Sequence, residues 1–257
     1  MGKFDGILIC SDIDGTFRCN EQTYKVNKEA VKYFIHNGGK FTFVTGRNRA
    51  HLIETGLTEV VNAPAGLLNG SVVYDYDNEK IVTEKRLEYT FYDFLLHIEK
   101  HSNCIENIGV FPGCEDEGYY EYEPGCIPQD MMDIIPVKTL VRFSDEEDAN
   151  DFRDICKQND FFKNTCISKS WSVGVEFNNI NGTKGDALLD IKKYLGNIHT
   201  TVGIGDYEND IELLIKADIK VATGNAIDEL KKNADFTVKE CEKYAIKDLI
   251  EILDKKY

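Results

Sequence analysis

The sequence lacks several features that mark whole classes of protein. It has no apolar run near 18 residues and no basic segment leading into an apolar one, since Lys3 is followed almost at once by Asp5. We therefore expect neither a membrane span nor a secretory signal. Basic residues are also in deficit, because 30 Lys and Arg stand against 45 Asp and Glu, for a formal net charge of -15. So acidic a chain is not expected to bind nucleic acid, whose phosphates require a basic surface.

The cysteines lack the spacing of a metal or redox motif. All eight are scattered along the chain, and no two form a C-x-x-C pair. Without a secretory signal, we expect them to be reduced thiols in a cytoplasmic protein rather than disulfides. None of them is expected to be a nucleophile or a zinc ligand.

The pattern of apolar residues divides the chain into three blocks. Strand-like and helix-like segments alternate over residues 1–79 and again over 181–257, which predicts a Rossmann-like parallel sheet. The middle block, residues 80–180, holds four of the five prolines and is typical of an α+β module. We therefore predict an α/β fold in which a discontinuous core domain, 1–79 and 181–257, carries an inserted domain at 80–180.

Local signals predict several element ends. Asn27 is placed to cap the first helix, and Ser144 with Glu147 resembles a capping box before the helix at 145–158. Residues 164–177 are predicted as one strand-like segment.

The most informative stretch is Asp-Ile-Asp-Gly-Thr at residues 12–16. It follows the apolar run Ile7–Cys10, which is typical of a buried parallel strand. Because ligands of open α/β sheets bind at the carboxyl ends of strands, Asp12 and Asp14 are placed for chemistry rather than for packing. A turn-capping role for the two carboxylates is the structural alternative.

Three other segments carry polar residues at strand or helix ends, where the fold alone does not require them. Thr45-Gly46-Arg47 closes the second predicted strand, Lys184 opens a helix, and residues 205–210 follow the strand that ends at Ile204. A lysine in the first turn of a helix is poorly placed for the helix dipole, which favours anions there. Arg47 is expected to form an ion pair rather than to contact a substrate.

Brought together, these side chains would suit phosphoryl chemistry. Asp12, Asp206 and Asp210 form a hard oxygen site suited to Mg²⁺, and the three carboxylates repel one another unless a cation lies between them. Thr45 and Lys184 offer donors for phosphoryl oxygens. A carboxylate beside a metal-bound phosphate can attack phosphorus and form an aspartyl-phosphate. A small anionic substrate is therefore compatible with the acidic composition.

The four segments resemble, in order and setting, the motifs of haloacid dehalogenase superfamily phosphatases, and most of all the Cof-like branch with a large α/β cap. Residues 12–17 (DIDGTF) resemble motif one, 43–47 (FVTGR) motif two, 182–188 (GTKGDAL) motif three and 205–211 (GDYENDI) motif four. The resemblance covers essentially the whole chain and implies that residues 80–180 are the cap. Asn225 resembles a further segment near the site, although Thr223 stands where the family more often has Met.

The resemblance implies a role for each motif residue. Asp12 would be the nucleophile and a Mg²⁺ ligand, and Asp14 the acid and base, with its backbone carbonyl on the metal. Asp206 would ligate Mg²⁺ with Asp210 supporting it. The residues implied for the phosphate are Thr45, Gly46, Lys184 and Asn209.

We therefore predict a cytoplasmic Mg²⁺-dependent phosphatase of a small phosphorylated metabolite, in particular a sugar phosphate. Three alternatives stay open: a phosphomutase with the same phosphoaspartate, a signalling receiver that stores phosphate without turnover, and a binding protein that has lost catalysis. The oligomeric state and the substrate are not predicted.

Overall fold

The structure is a computed structural model that describes residues 2–114 and 118–257. It divides into two compact units: Met1–Thr83 with Lys184–Tyr257, and Glu84–Thr183. Every candidate site residue lies in the first unit. The assignment of residues 80–180 to a cap stays a prediction, because this division says nothing of what the second unit does.

Thirteen strands occur in the described part of the chain. In chain order they are β1 Ile7–Ser11, β2 Lys40–Phe43, β3 Ala65–Leu67, β4 Val72–Asp75, β5 Lys80–Glu84, β6 Ile105–Phe111, β7 Tyr120–Tyr122, β8 Lys138–Phe143, β9 Thr165–Trp171, β10 Gly174–Asn179, β11 Thr200–Gly205, β12 Ile219–Ala222 and β13 Phe236–Thr237.

Eight α-helices occur in the same described residues. They are α1 Glu21–His36, α2 Arg49–Glu54, α3 Phe91–Ile98, α4 Glu146–Lys157, α5 Lys184–Leu195, α6 Ile211–Lys216, α7 Asp228–Asn233 and α8 Ala245–Lys256. Among the helices of the described ranges, none combines the length and the apolarity that a membrane span requires.

A five-stranded parallel sheet forms the centre of the first unit. Its strand order is β13-β12-β11-β1-β2, and all four pairings are parallel. Every residue of β1 is buried, and Leu8 and Ile9 are inaccessible to solvent. Burying each such side chain contributes about 1.5–3 kcal/mol. The prediction of an α/β fold with a parallel sheet is confirmed.

The sheet topology brings the predicted motifs to one edge. β1 lies between β11 and β2, so the carboxyl ends of these three strands are neighbours. Ser11 pairs with Phe43 on one side and with Ile204 on the other. Residues 12, 45 and 206, which follow these strand ends, are thus brought together from distant parts of the sequence.

The second unit is built on an antiparallel sheet of order β7-β6-β8-β10-β9. Alternate residues of these strands pack with α3 and α4 in one apolar core, which includes Phe94, Val141, Phe152 and Phe177. Burial of one sheet face in this way explains the alternating apolar pattern of its strands.

Two predicted helix caps are wrong. The first helix begins earlier than predicted, and its capping residue is Asn20, whose side chain accepts the backbone N–H of Thr23. Asn27 lies inside α1, where it is buried and donates to the Phe17 carbonyl. Asp145, and not Ser144, caps α4 by accepting the backbone N–H groups of Glu147 and Asp148.

Two further predictions need correction. The segment 164–177 is two antiparallel strands, β9 and β10, joined by a turn at residues 172–173. Cys19 and Cys241 form a disulfide, with Cα atoms 6.2 Å apart, so the expectation that all eight cysteines are thiols is wrong for this pair. The other six are free thiols. The cytoplasmic location stays a prediction.

Candidate active site

The loop after β1 is closed by its own backbone. The Ile13 carbonyl accepts the N–H groups of Thr16, Phe17 and Arg18 at 2.9–3.3 Å. Gly15 adopts a positive φ of 81°, and a Cβ atom there would lie 2.4 Å from Asp206 Oδ2. The glycine therefore allows both the turn and the close approach of the Asp206 carboxylate.

Asp12 is held at the start of this loop. Its backbone N–H donates to the Ile204 carbonyl at 3.0 Å, which continues the β1–β11 ladder by one residue. Only 7% of the residue is exposed. Its carboxylate is thus fixed at the sheet edge by strand pairing.

The segment after β11 supplies two more carboxylates. Asp206 accepts a hydrogen bond from Thr16 Oγ1 at 2.8 Å, across the sheet edge. Asp210 Oδ2 accepts the backbone N–H groups of Asp206 and Tyr207 at 2.9 and 3.1 Å. Gly205 makes room for this turn, since a Cβ atom there would lie 2.2 Å from Asp210 Cγ. Asp210 therefore orients the backbone that carries Asp206.

Lys184 links the two sets of carboxylates. As the first residue of α5 it is 1% exposed, and its ammonium donates to Asp12 Oδ1 at 2.7 Å and to Asp210 Oδ1 at 2.6 Å. Burial would lower the pKa of this ammonium, but Asp12 and Asp210 outweigh that effect and raise it above its ordinary value. Lys184 is therefore a fixed positive charge, held against an unfavourable helix dipole by two buried ion pairs.

The three carboxylates are close enough to share one ion. One oxygen each of Asp12, Asp206 and Asp210 lies within 4.8 Å of the others. With three carboxylates against one ammonium, the fully ionised cluster would carry a net charge of -2 (-3 + 1). Burial, together with the neighbouring carboxylates, raises the pKa of Asp12 well above its usual range. Burial and Asp210 likewise raise the pKa of Asp206 to about 7. An all-oxygen cluster with excess negative charge fits a hard divalent cation such as Mg²⁺.

Thr45 and Gly46 follow β2, beside Asp12. The Thr45 N–H donates to the Gly66 carbonyl, and its Oγ1 accepts the N–H of Arg47 at 3.2 Å. Thr45 is 1% exposed, and Gly46, which follows it, is partly exposed. The Thr45 hydroxyl thus holds the start of the loop that follows β2.

Asn209 contacts a residue that sequence reasoning did not assign to the site. Its Nδ2 donates to Asn69 Oδ1 at 3.1 Å, and the Asn69 N–H donates to the Thr45 carbonyl at 2.8 Å. Asn69 is buried and has a φ of 62°, a conformation that asparagine tolerates better than most residues. The Asn69-Gly70 pair at a strand end was the sequence signal that could have identified Asn69 as a residue of the site. Thr16 was missed as well, although it stands in the opening motif.

Asp14 lies apart from the three clustered carboxylates. Its side chain is 57% exposed and accepts two hydrogen bonds from the Arg47 guanidinium, at 2.8 and 3.2 Å. Arg47 thus forms an ion pair, as the sequence predicts. The carboxyl of Asp14 is available at the mouth of the loop.

Asn225 joins two segments beside the site. Its Nδ2 donates to the Gly15 carbonyl at 2.9 Å, and its Oδ1 accepts the Cys241 N–H at 2.8 Å. Nearby, Thr223 is inaccessible to solvent, and no described residue hydrogen-bonds to its hydroxyl.

A family model for haloacid dehalogenase-like hydrolases matches residues 9–250. The chain belongs to this family. It is 26% identical over 245 residues to a phosphoglycolate phosphatase of Sulfurisphaera tokodaii, covering 90% of this chain and 87% of that protein. It is also 26% identical over 234 residues to a 5-amino-6-(5-phospho-D-ribitylamino)uracil phosphatase of Bacillus subtilis, covering 89% of this chain and 88% of that protein.

Solved structures share the fold. A sugar phosphatase of subclass IIB of the superfamily superposes with a TM-score of 0.78 at 19% identity, covering 96% of this chain and 98% of that one. A HAD/Cof-like hydrolase from Plasmodium vivax gives 0.82 at 20% identity, covering 100% and 97%. The predicted family and the prediction of a phosphatase, a hydrolytic enzyme, are confirmed.

Proposed function

We propose that this chain is a Mg²⁺-dependent phosphatase that hydrolyses a small phosphorylated metabolite, a sugar phosphate in particular, through an aspartyl-phosphate on Asp12. The observation that carries the proposal is the cluster of Asp12, Asp206 and Asp210 within 4.8 Å, with the Lys184 ammonium bonded to two of the three. Burying three neighbouring carboxylates destabilises the fold, because their like charges repel one another. A purely structural role therefore does not explain the cluster.

Mg²⁺ would be held by the carboxylates of Asp12 and Asp206 and by the backbone carbonyl of Asp14. Asp210 would act through its neighbours, since its oxygens already accept hydrogen bonds from Lys184 and from two backbone N–H groups. When bound, the ion would neutralise the excess negative charge and polarise the phosphoryl oxygens.

Asp12 is the proposed nucleophile. Its carboxylate oxygen attacks phosphorus, and the bond from phosphorus to the leaving oxygen breaks as the new bond forms. Asp14 gives its proton to the leaving oxygen, which departs as an alcohol. The exposure of Asp14, in contrast to buried Asp12, suits a group that must exchange protons.

The second step regenerates the enzyme. Asp14 takes a proton from water, and the water oxygen attacks phosphorus. The bond between phosphorus and Asp12 then breaks, which releases inorganic phosphate and restores both carboxyl groups to their starting states. Lys184, bonded to Asp12 Oδ1, would hold that carboxylate in one orientation through both steps.

Donors for the phosphoryl oxygens would come from Thr45, Gly46, Lys184 and Asn209. Positive charge and N–H dipoles that are fixed before the reaction stabilise the transition state most where negative charge develops.

We also propose the domain assignment made from the sequence, with the catalytic core at 1–79 and 181–257 and an inserted cap at 80–180. The curated relatives are named for small phosphorylated metabolites, which supports that substrate class.

A phosphate-release assay tests the proposal directly. With Mg²⁺ and a panel of sugar phosphates and other phosphorylated metabolites, we expect release of inorganic phosphate without any bisphosphate activator. Chelation with EDTA should abolish release, and added Mg²⁺ should restore it. Dependence on a sugar bisphosphate would favour a phosphomutase, and no release with any ester, including a generic aryl phosphate, would refute the proposal.

Metal binding should depend on pH. Asp206, whose pKa burial and Asp210 raise to about 7, keeps its proton below that pH in the metal-free protein. Because Mg²⁺ needs the carboxylate, its apparent affinity should fall about tenfold per pH unit below about pH 7. The same raised pKa means that this group's contribution to the stability of the metal-free protein is lost as pH rises from about 4 to 7.

Titration calorimetry with Mg²⁺ between pH 5.5 and 8.5 checks this prediction. Repeating each titration in two buffers of different ionisation enthalpy counts the protons released. Because the pKa of the Asp12 carboxyl is raised as well, we expect between one and two protons released per Mg²⁺ at the acid end and fewer at the alkaline end. Equal affinities across the range would mean that Asp206 holds no proton that Mg²⁺ must displace, and would contradict the raised pKa of this carboxyl.

A further inference from the structure

A covalent link lies beside the carboxylate cluster. The Cys19–Cys241 disulfide joins residues 222 positions apart, and both lie in the first unit. Cys19 is exposed and directly precedes Asn20, the cap of α1, whereas Cys241 is fully buried. The link therefore ties the loop that follows β1 to the segment before α8.

Hydrogen bonds of Asn225 reinforce the same connection. This amide donates to the Gly15 carbonyl and accepts the N–H of Cys241, so one side chain connects the same two segments that the disulfide joins. Gly224 packs on the backbone of Glu240, and its N–H donates to the Lys239 carbonyl. The segments 222–225 and 238–241 thus form one layer held against the loop.

The loop after β1 and the segment 222–227, on which residues 238–241 pack, hold Asp206 from two sides. From one side, Thr16 Oγ1 donates to its carboxylate, and Gly15 packs against it. From the other side, the Ile227 N–H donates to the Asp206 carbonyl at 3.0 Å, and the Thr223 N–H donates to the Gly205 carbonyl. The disulfide therefore closes a ring of contacts around Asp206.

We propose that the Cys19–Cys241 pair is a reversible thiol–disulfide switch that sets the order of the loop around Asp206 and, through it, the affinity of the site for a divalent cation. The cation part rests on the proposed function. Buried contacts that orient a ligand commonly change metal affinity when they are lost, and a link between distant segments restricts the chain most when it spans many residues.

The chemistry of the switch is thiol–disulfide exchange with a dithiol reductant. A thiolate of the reductant attacks the sulfur of exposed Cys19, the S–S bond breaks, and Cys241 leaves as a thiolate that takes up a proton. The second thiol of the reductant then displaces Cys19. Two electrons and two protons pass to the protein, and the reductant becomes a cyclic disulfide. Outside oxidising compartments, disulfides of this kind are commonly redox-sensing.

Alkylation and mass spectrometry first establish the thiol count. Of the eight cysteines, the oxidised chain should expose six to iodoacetamide after unfolding without reductant. After treatment with dithiothreitol, all eight should react. Eight reactive thiols in protein treated with excess oxidised glutathione would overturn the proposal at once.

Hydrogen–deuterium exchange and Mg²⁺ titration then compare the two states. Reduction should speed exchange in peptides covering 12–19 and 222–227 but not in peptides of the second unit. It should also weaken Mg²⁺ binding by about 3- to 10-fold. Unchanged exchange and unchanged affinity would contradict the switch. If neither state releases phosphate, the proposed function fails, while the exchange data still decide whether the link controls the loop.

Matched variants locate the effect. Cys19→Ser, at an exposed position, should behave without reductant as the reduced wild type does, both in exchange and in Mg²⁺ affinity. Cys126→Ser removes an exposed free thiol of the second unit and should keep the full redox response. A redox response that survives in Cys19→Ser would overturn the assignment. Should Cys19→Ser not fold, reduction of the wild-type protein decides the same question.

Discussion

Replacement of Asp12 by Asn is expected to lower the rate of phosphate release by about a thousandfold or more, because an amide cannot form the aspartyl-phosphate. The change is nearly isosteric, so the fold should persist. It removes one of the charges that repel Asp206 and Asp210, but it also weakens the buried ion pair with Lys184. Because these two effects oppose each other, the melting temperature of the metal-free variant should differ little from that of the wild type.

The matched control is Asp14→Asn. With an aryl phosphate whose leaving group needs no protonation, this variant should form phosphoenzyme at a near-normal rate but hydrolyse it slowly. Acid quench and mass spectrometry should find an added phosphoryl group on a peptide containing residues 12–19 in Asp14→Asn and none in Asp12→Asn. More than a tenth of wild-type turnover in Asp12→Asn would refute the nucleophile.

Replacement of Lys184 by Met should affect stability and turnover together. Loss of the ammonium leaves Asp12 and Asp210 buried with no counter-charge from it, and breaking a buried pair by removing one partner costs about 3–5 kcal/mol. Turnover should fall by about 10²- to 10³-fold, the loss typical of one fixed donor to a developing charge. Added Mg²⁺ should recover part of the stability but not the turnover.

Lys192→Met serves as the control for the same helix. Lys192 is partly exposed and pairs with Asp218 at 3.3 Å, an arrangement worth less than about 1 kcal/mol. Thermal melts in EDTA and in Mg²⁺, with assays of phosphate release, separate the two variants. Near-normal turnover in Lys184→Met would mean that this lysine only neutralises charge in the fold.

The position of the site could be predicted from the sequence, because the ends of buried strands can be recognised from the pattern of apolar and polar residues. A buried strand followed by Asp12, and a second one followed by Asp206, must deliver both residues to the carboxyl edge of a parallel sheet. The unfavourable dipole position of Lys184 was a further local signal, and the structure accounts for it by two ion pairs. These predictions depend only on which residues follow each strand or begin each helix, and the sequence gives that information directly.

Features that depend on packing between distant segments could not be predicted from the sequence in the same way. Asn27 has the residue type of a helix cap, yet it bonds to the Phe17 carbonyl and the Lys247 N–H inside the fold. The Cys19–Cys241 pair spans most of the chain, and spacing alone gives no pairing among eight cysteines. Asn69 reaches the site because its backbone adopts a left-handed conformation. The neighbouring Gly70 was the only sequence signal for a turn at this position.

The proposed mechanism requires one divalent ion between Asp12 and Asp206, beside the oxygen of Asp12 that attacks phosphorus. A crystal structure of the protein with Mg²⁺ and beryllium fluoride, which mimics a phosphoryl group, tests it most directly. We expect beryllium bonded to an Asp12 carboxylate oxygen and Mg²⁺ about 2.0–2.1 Å from oxygens of both aspartates. Beryllium on another residue, or Mg²⁺ that contacts only one of the two carboxylates, would contradict it.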